Sequence, residues 1–267
     1  MPRVDHDGVG IWWEATGDGP PVLLLNGLSS TSEAWFRLVP HLARDHRVIT
    51  MDNRGVGRSD VPRGRYRVST MASDAVRVLD AAGEESAHVV GISMGSVIAQ
   101  DLVLDHRDRV RSVVLAASNP GGRHSAYPSR KAMTLISTGW ARDHHAFHRK
   151  LVPFTYHPST DPGRIDEDLS RARGAAPSRR GFFGQTFGVV GWDRYGDLPR
   201  VSRPVLVLHG EDDLLDPVEN ARRLAERIPG AELAILEGAS HQLFTDQEVA
   251  AADAVRAHLA RAEATKG

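Results

Sequence analysis

Apolar positions along this chain alternate between short unbroken runs and longer stretches with a single apolar face. Residues 9–14 and 21–25 read as strands, the second apolar at every position, as expected of a strand covered on both faces. From Ser32 to about Ala43, Trp35, Leu38, Val39 and Leu42 fall on one helical stripe, with Ser32 placed as a cap. Residues 47–51 predict the next strand. Thr70 opens a helix in which Met71, Ala75, Val78, Leu79 and Ala82 share a face, and Gly83 ends it. A strand at 87–90, a helical pattern from Ser96 to about His106 and a strand at 110–117 follow. The alternation returns with a strand at 204–209, a helix carrying Ala221, Leu224 and Ile228, a strand at 231–236 and a helix from about Gln247 to Arg261. Strand and helix follow one another without hairpin signals between neighbours. That order predicts an α/β fold, a mostly parallel central sheet flanked by helices on both faces.

Between Asn119 and about Pro199 the alternation stops. Tyr127, Trp140, Phe147, Phe154, Tyr156 and Phe182 lead a concentration of the chain's aromatic residues, set among short helical pieces broken by Gly and Pro. A solvated linker does not need so many rings. Residues 1–118 and 200–267 are therefore expected to form the two parts of one core, and 119–199 a helical cap over its pocket. A packed appendage with its own small core is the plainer alternative.

Composition adds mainly exclusions. A chain of 267 residues can bury a large core. Its formal net charge of −1 gives no electrostatic reason to expect a nucleic acid or a membrane surface as partner. No apolar run approaches the ~20 residues of a spanning helix, and the first residues lack the apolar centre of a signal peptide; a cytoplasmic location is expected. The absence of cysteine removes disulfides, thiol nucleophiles and thiolate metal sites.

Candidate chemistry begins at Gly91-Ile92-Ser93-Met94-Gly95, between an apolar run and a helical pattern. Strand, sharp turn and helix in that order suit a nucleophile elbow, which strains the backbone at the central serine and lifts its Oγ above the sheet. Flanking glycines avoid a Cβ where strand and helix pass closely. A neutral serine needs a base, and histidine titrates in the useful range. His241 lies just past the strand at 231–236, and Asp213 just past the strand at 204–209, so all three fall at one sheet edge. Asp213 is the preferred acid to hold the imidazole in the right tautomer; Asp212 and Asp216 are rivals, either able to cap the following helix. His209 is a rival base, but it ends a strand and precedes the acid, as a packed histidine would. For the oxyanion, the N–H of Met94 is one expected donor and that of Leu28, in the turn Asn26-Gly27-Leu28, the other. Asn26 and Gly27 would support that turn, which is otherwise an ordinary Asn-Gly turn.

These segments, together with Asp52-Asn53-Arg54-Gly55-Val56-Gly57-Arg58-Ser59 and Gly238 to His241, resemble the α/β-hydrolase superfamily over nearly the whole chain. The order Ser, Asp, His is the one associated with that family. Its Gly-x-x-Asp-x-x-x-Pro pattern lands on Asp213. Many relatives have His-Gly where this chain has Asn26-Gly27; the asparagine is similar to enol-lactone hydrolases, and the serine's surroundings to bacterial methylesterases. The resemblance implies a serine hydrolase that cleaves a small to medium apolar ester or lactone through an acyl-enzyme, without cofactor or metal. The alternatives are a C–C bond hydrolase or cofactor-free lyase with the same residues, an acyltransferase, and a ligand-binding receptor on this fold. Trp140, Phe182 and Phe183 are the cap aromatics expected to line the substrate pocket. Asp143, His144, His145 and His148 have the spacing of metal ligands, but a solvated histidine-rich helix explains them better.

Overall fold

The computed structural model describes residues 2–138, 144–173 and 178–264. Its strands are β1 (Arg3–His6), β2 (Val9–Thr16), β3 (Pro21–Leu25), β4 (Arg47–Met51), β5 (Ala87–Ile92), β6 (Val110–Ala116), β7 (Val205–Gly210) and β8 (Glu232–Leu236). They form one sheet in the order β1-β2-β4-β3-β5-β6-β7-β8. From β4 to β8 every pairing is parallel, while β1–β2 and β2–β4 are antiparallel. The β1–β2 pair corrects the expectation of no hairpin. Asp7 and Gly8 join the two strands with φ of 55° and 75°, the signs of a type I′ turn. Asp-Gly between short strands is the signal that could have revealed it.

Helices α1 (Val39–Leu42), α2 (Val68–Ala82) and α3 (Met94–Asp105) precede β6. Then come α4 (Arg130–Thr138), α5 (His144–Thr155), α6 (Pro162–Arg173) and α7 (Arg179–Val189), all inserted between β6 and β7. The chain finishes with α8 (Glu219–Arg227), α9 (Leu243–Asp246) and α10 (Glu248–Ala264). Side chains alternate across the strands, which divides the core in two. Leu23, Ile49, Val89, Val113 and Val207 pack against α2, α3 and α8. Val22, Val48, Val90, Val114 and Leu208 face α1, Trp35 and α10.

The single helix expected over 32–43 is broken. Ser32–Trp35 forms a 3-10 turn, and α1 begins only at Val39, with Pro40 in its first turn. A proline has no N–H to extend a helix through that point. Ser32 does not act as a cap; its own N–H donates to Asp52 Oδ1 at 2.8 Å. The apolar stripe survives the break, since Trp35, Leu38 and Leu42 are buried. Helix α2 starts two residues before Thr70, at Val68. Among the described residues no helix is long and apolar enough to cross a membrane.

Candidate active site

The turn after β5 carries Ser93 with φ 54° and ψ −122°, a conformation that a side chain rarely adopts. Helix α3 starts at the next residue, so the serine stands between strand and helix. Packing permits this only with glycines on either side. A Cβ on Gly95 would overlap the Leu25 carbonyl, and one on Gly91 would overlap the Gly95 backbone. The Ser93 N–H donates to Ala116 O at 3.0 Å, tying the elbow to β6.

Asp213 follows β7 and His241 follows β8, and the fold brings them together. His241 Nδ1 lies 2.8 Å from Asp213 Oδ2. The other carboxylate oxygen accepts the N–H groups of Leu215 at 2.8 Å and Asp216 at 2.7 Å. Both side chains are buried, and His241 and Ser93 open onto the same cavity. Among the described residues no hydrogen bond joins the Ser93 hydroxyl to the imidazole.

The rival acids and base sit elsewhere. Asp212 is half exposed, 3.5 Å from His157 rather than at the imidazole. Asp216 is buried, with one oxygen bound by Asn119 Nδ2 at 2.8 Å and the other by Asn220 Nδ2 at 2.5 Å. His209 is wholly buried and donates from Nε2 to Asp216 O at 2.7 Å, 3.5 Å from Asp213 Oδ2. Burial holds its pKa below the ordinary imidazole value. For His241, burial acts in the same sense, but the charge and hydrogen bond of Asp213 outweigh it; the imidazole pKa is raised. Burial first, and then the neighbouring Asp213 charge, push the Asp216 carboxyl up to about 7 against its two amide donors.

Opposite the serine lies the turn after β3. A Cβ at Gly27 would stand 3.4 Å from Ser93 Cβ, so only a small residue leaves room for a reacting group there. Asn26 is fully buried; its Nδ2 donates to Met51 O at 2.6 Å, and its backbone carbonyl accepts from Asn53 Nδ2 at 3.2 Å. The asparagine thus stitches β3 to the end of β4. Neither the Leu28 nor the Met94 N–H donates to a protein acceptor among the described residues. The Asp52–Ser59 segment backs that turn, with Asp52 Oδ1 accepting the Ser32 N–H at 2.8 Å. Asp52 Oδ2 accepts from the backbone N–H of Arg58 at 2.9 Å, and the Arg58 guanidinium lies over the Trp12 ring.

The cavity has a volume of about 370 Å³. Trp35, Phe36 and Phe244 line it from the core, and Phe147, Leu151 and Phe182 from the inserted helices. Its far wall is polar: Asp168 accepts from Arg37 Nη2 at 3.0 Å, Tyr156 Oη at 3.2 Å and Thr245 Oγ1 at 2.6 Å. Of the three predicted pocket aromatics, Phe182 lines the cavity. Phe183 does not; one helical step turns it by about 100°, and it stacks on the exposed Phe187 at 5.7 Å between ring centres. Trp140 lies outside the described residues. Among the described residues no cluster has the composition to hold a metal ion, and His148 faces the cavity; the side chains of Asp143, His144 and His145 lie outside the described set.

A profile of the alpha/beta hydrolase fold matches residues 20–247. The chain belongs to the α/β-hydrolase family. It is 32% identical to a poly(3-hydroxyalkanoate) depolymerase of Ectopseudomonas oleovorans over 86% of this chain and 81% of the relative. Among solved structures it is similar to Est816, an N-acyl homoserine lactone degrading enzyme, at 29% identity and a TM-score of 0.83, covering 96% of this chain and 99% of the other. The enol-lactonase of Burkholderia xenovorans LB400 superposes with a TM-score of 0.86 over 97% of this chain and all of its own; at 23% identity that likeness speaks for the fold alone.

The cavity of this α/β-hydrolase is also lined by residues that the sequence pattern does not single out. They are Trp35, which the apolar pattern places only in a helical stripe, and Phe244; Tyr156, one of the cap aromatics, lines it as well. Phe244 follows His241 by three residues, so its position next to a strand-end loop was the available signal.

Proposed function

We propose that this α/β-hydrolase is a serine hydrolase that cleaves small to medium, largely apolar esters or lactones through an acyl-enzyme. The observation that carries the proposal is the imidazole of His241, fixed through Nδ1 by a buried carboxylate while it opens onto the cavity of Ser93. With Nδ1–H committed to Asp213, the free nitrogen is the basic one. It takes the Ser93 proton as Oγ attacks the carbonyl carbon. Negative charge then develops on the carbonyl oxygen, where the Leu28 and Met94 N–H groups stabilise it. The imidazolium returns the proton to the departing alkoxide, leaving an ester on Ser93. Water, deprotonated by the same imidazole, attacks that ester and releases the acid. For a lactone, the alcohol and the acid belong to one product molecule.

Residues 119–199 act as a cap, since α5, α6 and α7 supply much of the cavity wall. Aromatic and leucine side chains there favour an apolar acyl chain, and the relatives' polyester and lactone substrates fit the same reading. A fluorophosphonate probe should label the protein at Ser93, and Ser93→Ala should lose both labelling and turnover of a panel of p-nitrophenyl esters and acyl lactones. Turnover of those esters by Ser93→Ala at the wild-type rate removes the serine mechanism. Cleavage confined to β-diketones, when these are added to the panel, would favour the C–C hydrolase reading.

A further inference from the structure

We propose that the outer face of α7 docks on an anionic lipid surface, with Phe187 and Val190 entering the acyl region and Arg65, Arg179 and Arg180 meeting the headgroups. The inner face of this helix is already committed to the core. A Cβ on Gly181 would overlap the Gly55 carbonyl, one on Gly188 the Tyr66 carbonyl, and one on Gly184 would meet the Tyr66 ring. Among these glycines the buried Gln185 accepts the Ser29 N–H through Oε1 at 2.9 Å and donates from Nε2 to Arg54 O at 3.0 Å. The Tyr66 N–H donates to Gly184 O at 2.9 Å. So seated, α7 cannot turn its other face inward.

That other face is apolar where a solvated helix is normally polar. Phe183, Phe187 and Val190 are spaced by four and three residues, which brings them within about 40° of one another around the axis. Phe187 is 54% exposed and Val190 60%, and the Phe183 ring stacks on that of Phe187. Scattered exposed apolar residues are ordinary; a run of them along one helical face with a charged rim marks an interaction site. Arg179 lies over the Phe183 ring at 5.8 Å. At the far end of the helix Arg65 Nη2 donates to Val190 O at 2.9 Å. Arg180 is near enough to Tyr66 to act electrostatically on its hydroxyl, and Arg63 and Arg67 are exposed on the same loop as Arg65. Among the described residues none of these five arginines forms an ion pair.

Two of those charges are placed against the helix itself. Arg179 and Arg180 stand in the first turn of α7, where the dipole favours acids, and no acidic residue occupies that turn. The fold accounts for Arg65, a cation at the helix's C-terminal carbonyls, but not for this pair. The net charge of −1 over the whole chain conceals the cluster. Apolar side chains along one helical face with cations beside them are the pattern of a helix lying in a membrane interface, its arginines held at headgroup level. A nucleic acid would match the charge but leave Phe187 and Val190 without a partner. Phe182, next to Phe183, lines the cavity, so docking would bring the cap against the phase in which apolar esters gather.

The full chain is tested by co-sedimentation with vesicles of phosphatidylcholine alone, and of phosphatidylcholine and phosphatidylglycerol in equal parts. Binding should appear with the anionic vesicles, be absent with the neutral ones, and weaken as salt rises. Arg179→Ser with Arg180→Ser should weaken it about 25-fold, since each arginine near a charged surface is worth roughly fivefold. Phe187→Ser should weaken it as well. Arg44→Ser with Arg222→Ser, a pair of exposed arginines elsewhere, should leave it unchanged. All these positions are exposed, and an unchanged Tm confirms that the variants are folded. No binding to anionic vesicles at low salt, equal binding to neutral ones, or an equal loss in the Arg44 and Arg222 pair would overturn the inference. Self-association that Phe187→Ser abolishes, without vesicle binding, would give the face to a second copy of the chain instead. Binding is read without turnover, so the docking face and the serine mechanism stand or fall separately.

Discussion

Asp213 and Asp216 lie three residues apart and are joined by a hydrogen bond of 2.7 Å from the Asp216 N–H to Asp213 Oδ1, yet the fold treats their carboxyl groups in opposite ways. Asp213 receives two backbone N–H groups and the imidazole of His241, a set of donors suited to an anion. Asp216 is enclosed with only two neutral amide donors beside an existing negative charge, and its pKa is pushed up to about 7. One loop thus holds a carboxylate for orientation and a carboxyl whose ionisation is costly.

Replacing Asp213 and its neighbour Asp212 should separate them kinetically. Asp213→Asn should lower kcat by about 10³–10⁴-fold, since an amide can stabilise the wrong imidazole tautomer. Asp212→Asn, at a half-exposed position away from the imidazole, should change kcat by less than about threefold. Steady-state kinetics on one ester decides the assignment, and a severe loss at Asp212 alone would transfer the role.

The pH profile carries a sign that follows from the same contact. As the proposed base, His241 would act only when deprotonated, and Asp213 raises its pKa above the ordinary value of 6.5 against the effect of burial. The acid limb of kcat/KM should therefore have its midpoint above that value. Activity falls as pH drops through it. In Asp213→Asn the residual activity should show the limb displaced to lower pH, because the attraction that favoured the imidazolium is gone. A limb that stays in place would mean that another group titrates.

Stability should report on Asp216 independently of turnover. Its pKa in the fold, about 7, exceeds the ordinary carboxylate value of 3.8. Between those values the folded protein binds a proton that the unfolded chain has released. Stability from this group is then fully present below the unfolded pKa and is lost as pH rises through the folded one. Asp216→Asn should accordingly gain Tm relative to wild type as pH rises from about 4 to 7, with no further gain above. Equal differences in Tm at pH 4.5 and pH 8 would contradict the buried, proton-holding carboxyl.

Cavity shape predicts selectivity. Phe182→Ala opens space inside the pocket, whereas Phe183→Ala changes a ring stacked on the outside of α7. The ratio of kcat/KM for long over short acyl esters should rise by roughly tenfold in the first, in line with the worth of one or two methylenes. In the second the ratio should stay within about twofold. Measuring both ratios on C4 and C10 p-nitrophenyl esters checks the orientation of the helix.

Much of the fold was legible because central strands of a parallel sheet announce themselves as unbroken apolar runs, as Pro21–Leu25 and Val205–Gly210 do. Ser93, Asp213 and His241 could be read together since each directly follows such a strand. What escaped depends on rotation and on distant partners. The sequence places Phe182 and Phe183 side by side, and only the seating of α7 decides which faces inward. Asp7-Gly8 did carry a local signal, yet the strand before it is short and polar enough to pass as a terminus. The break in the 32–43 helix was written in Pro40, but the stripe of apolar residues persists across it. Gln185 had no local signature at all, since the N–H it accepts belongs to a serine 156 residues away.

The glycine seam under α7 also has a bearing on how this chain can be recombined. Two positions on that helix admit no side chain without displacing the core backbone, a third none without displacing the Tyr66 ring, and a fourth holds the turn near Ser93. Although α7 is inserted between β6 and β7 with the other three helices, it matches the chassis rather than the exchangeable part. A chimera that takes α4 to α6 from a relative and keeps its own residues from Ser178 onward would retain a working reaction centre under a new roof. One that imports α7 as well would have to import Gly55 and Tyr66 with it.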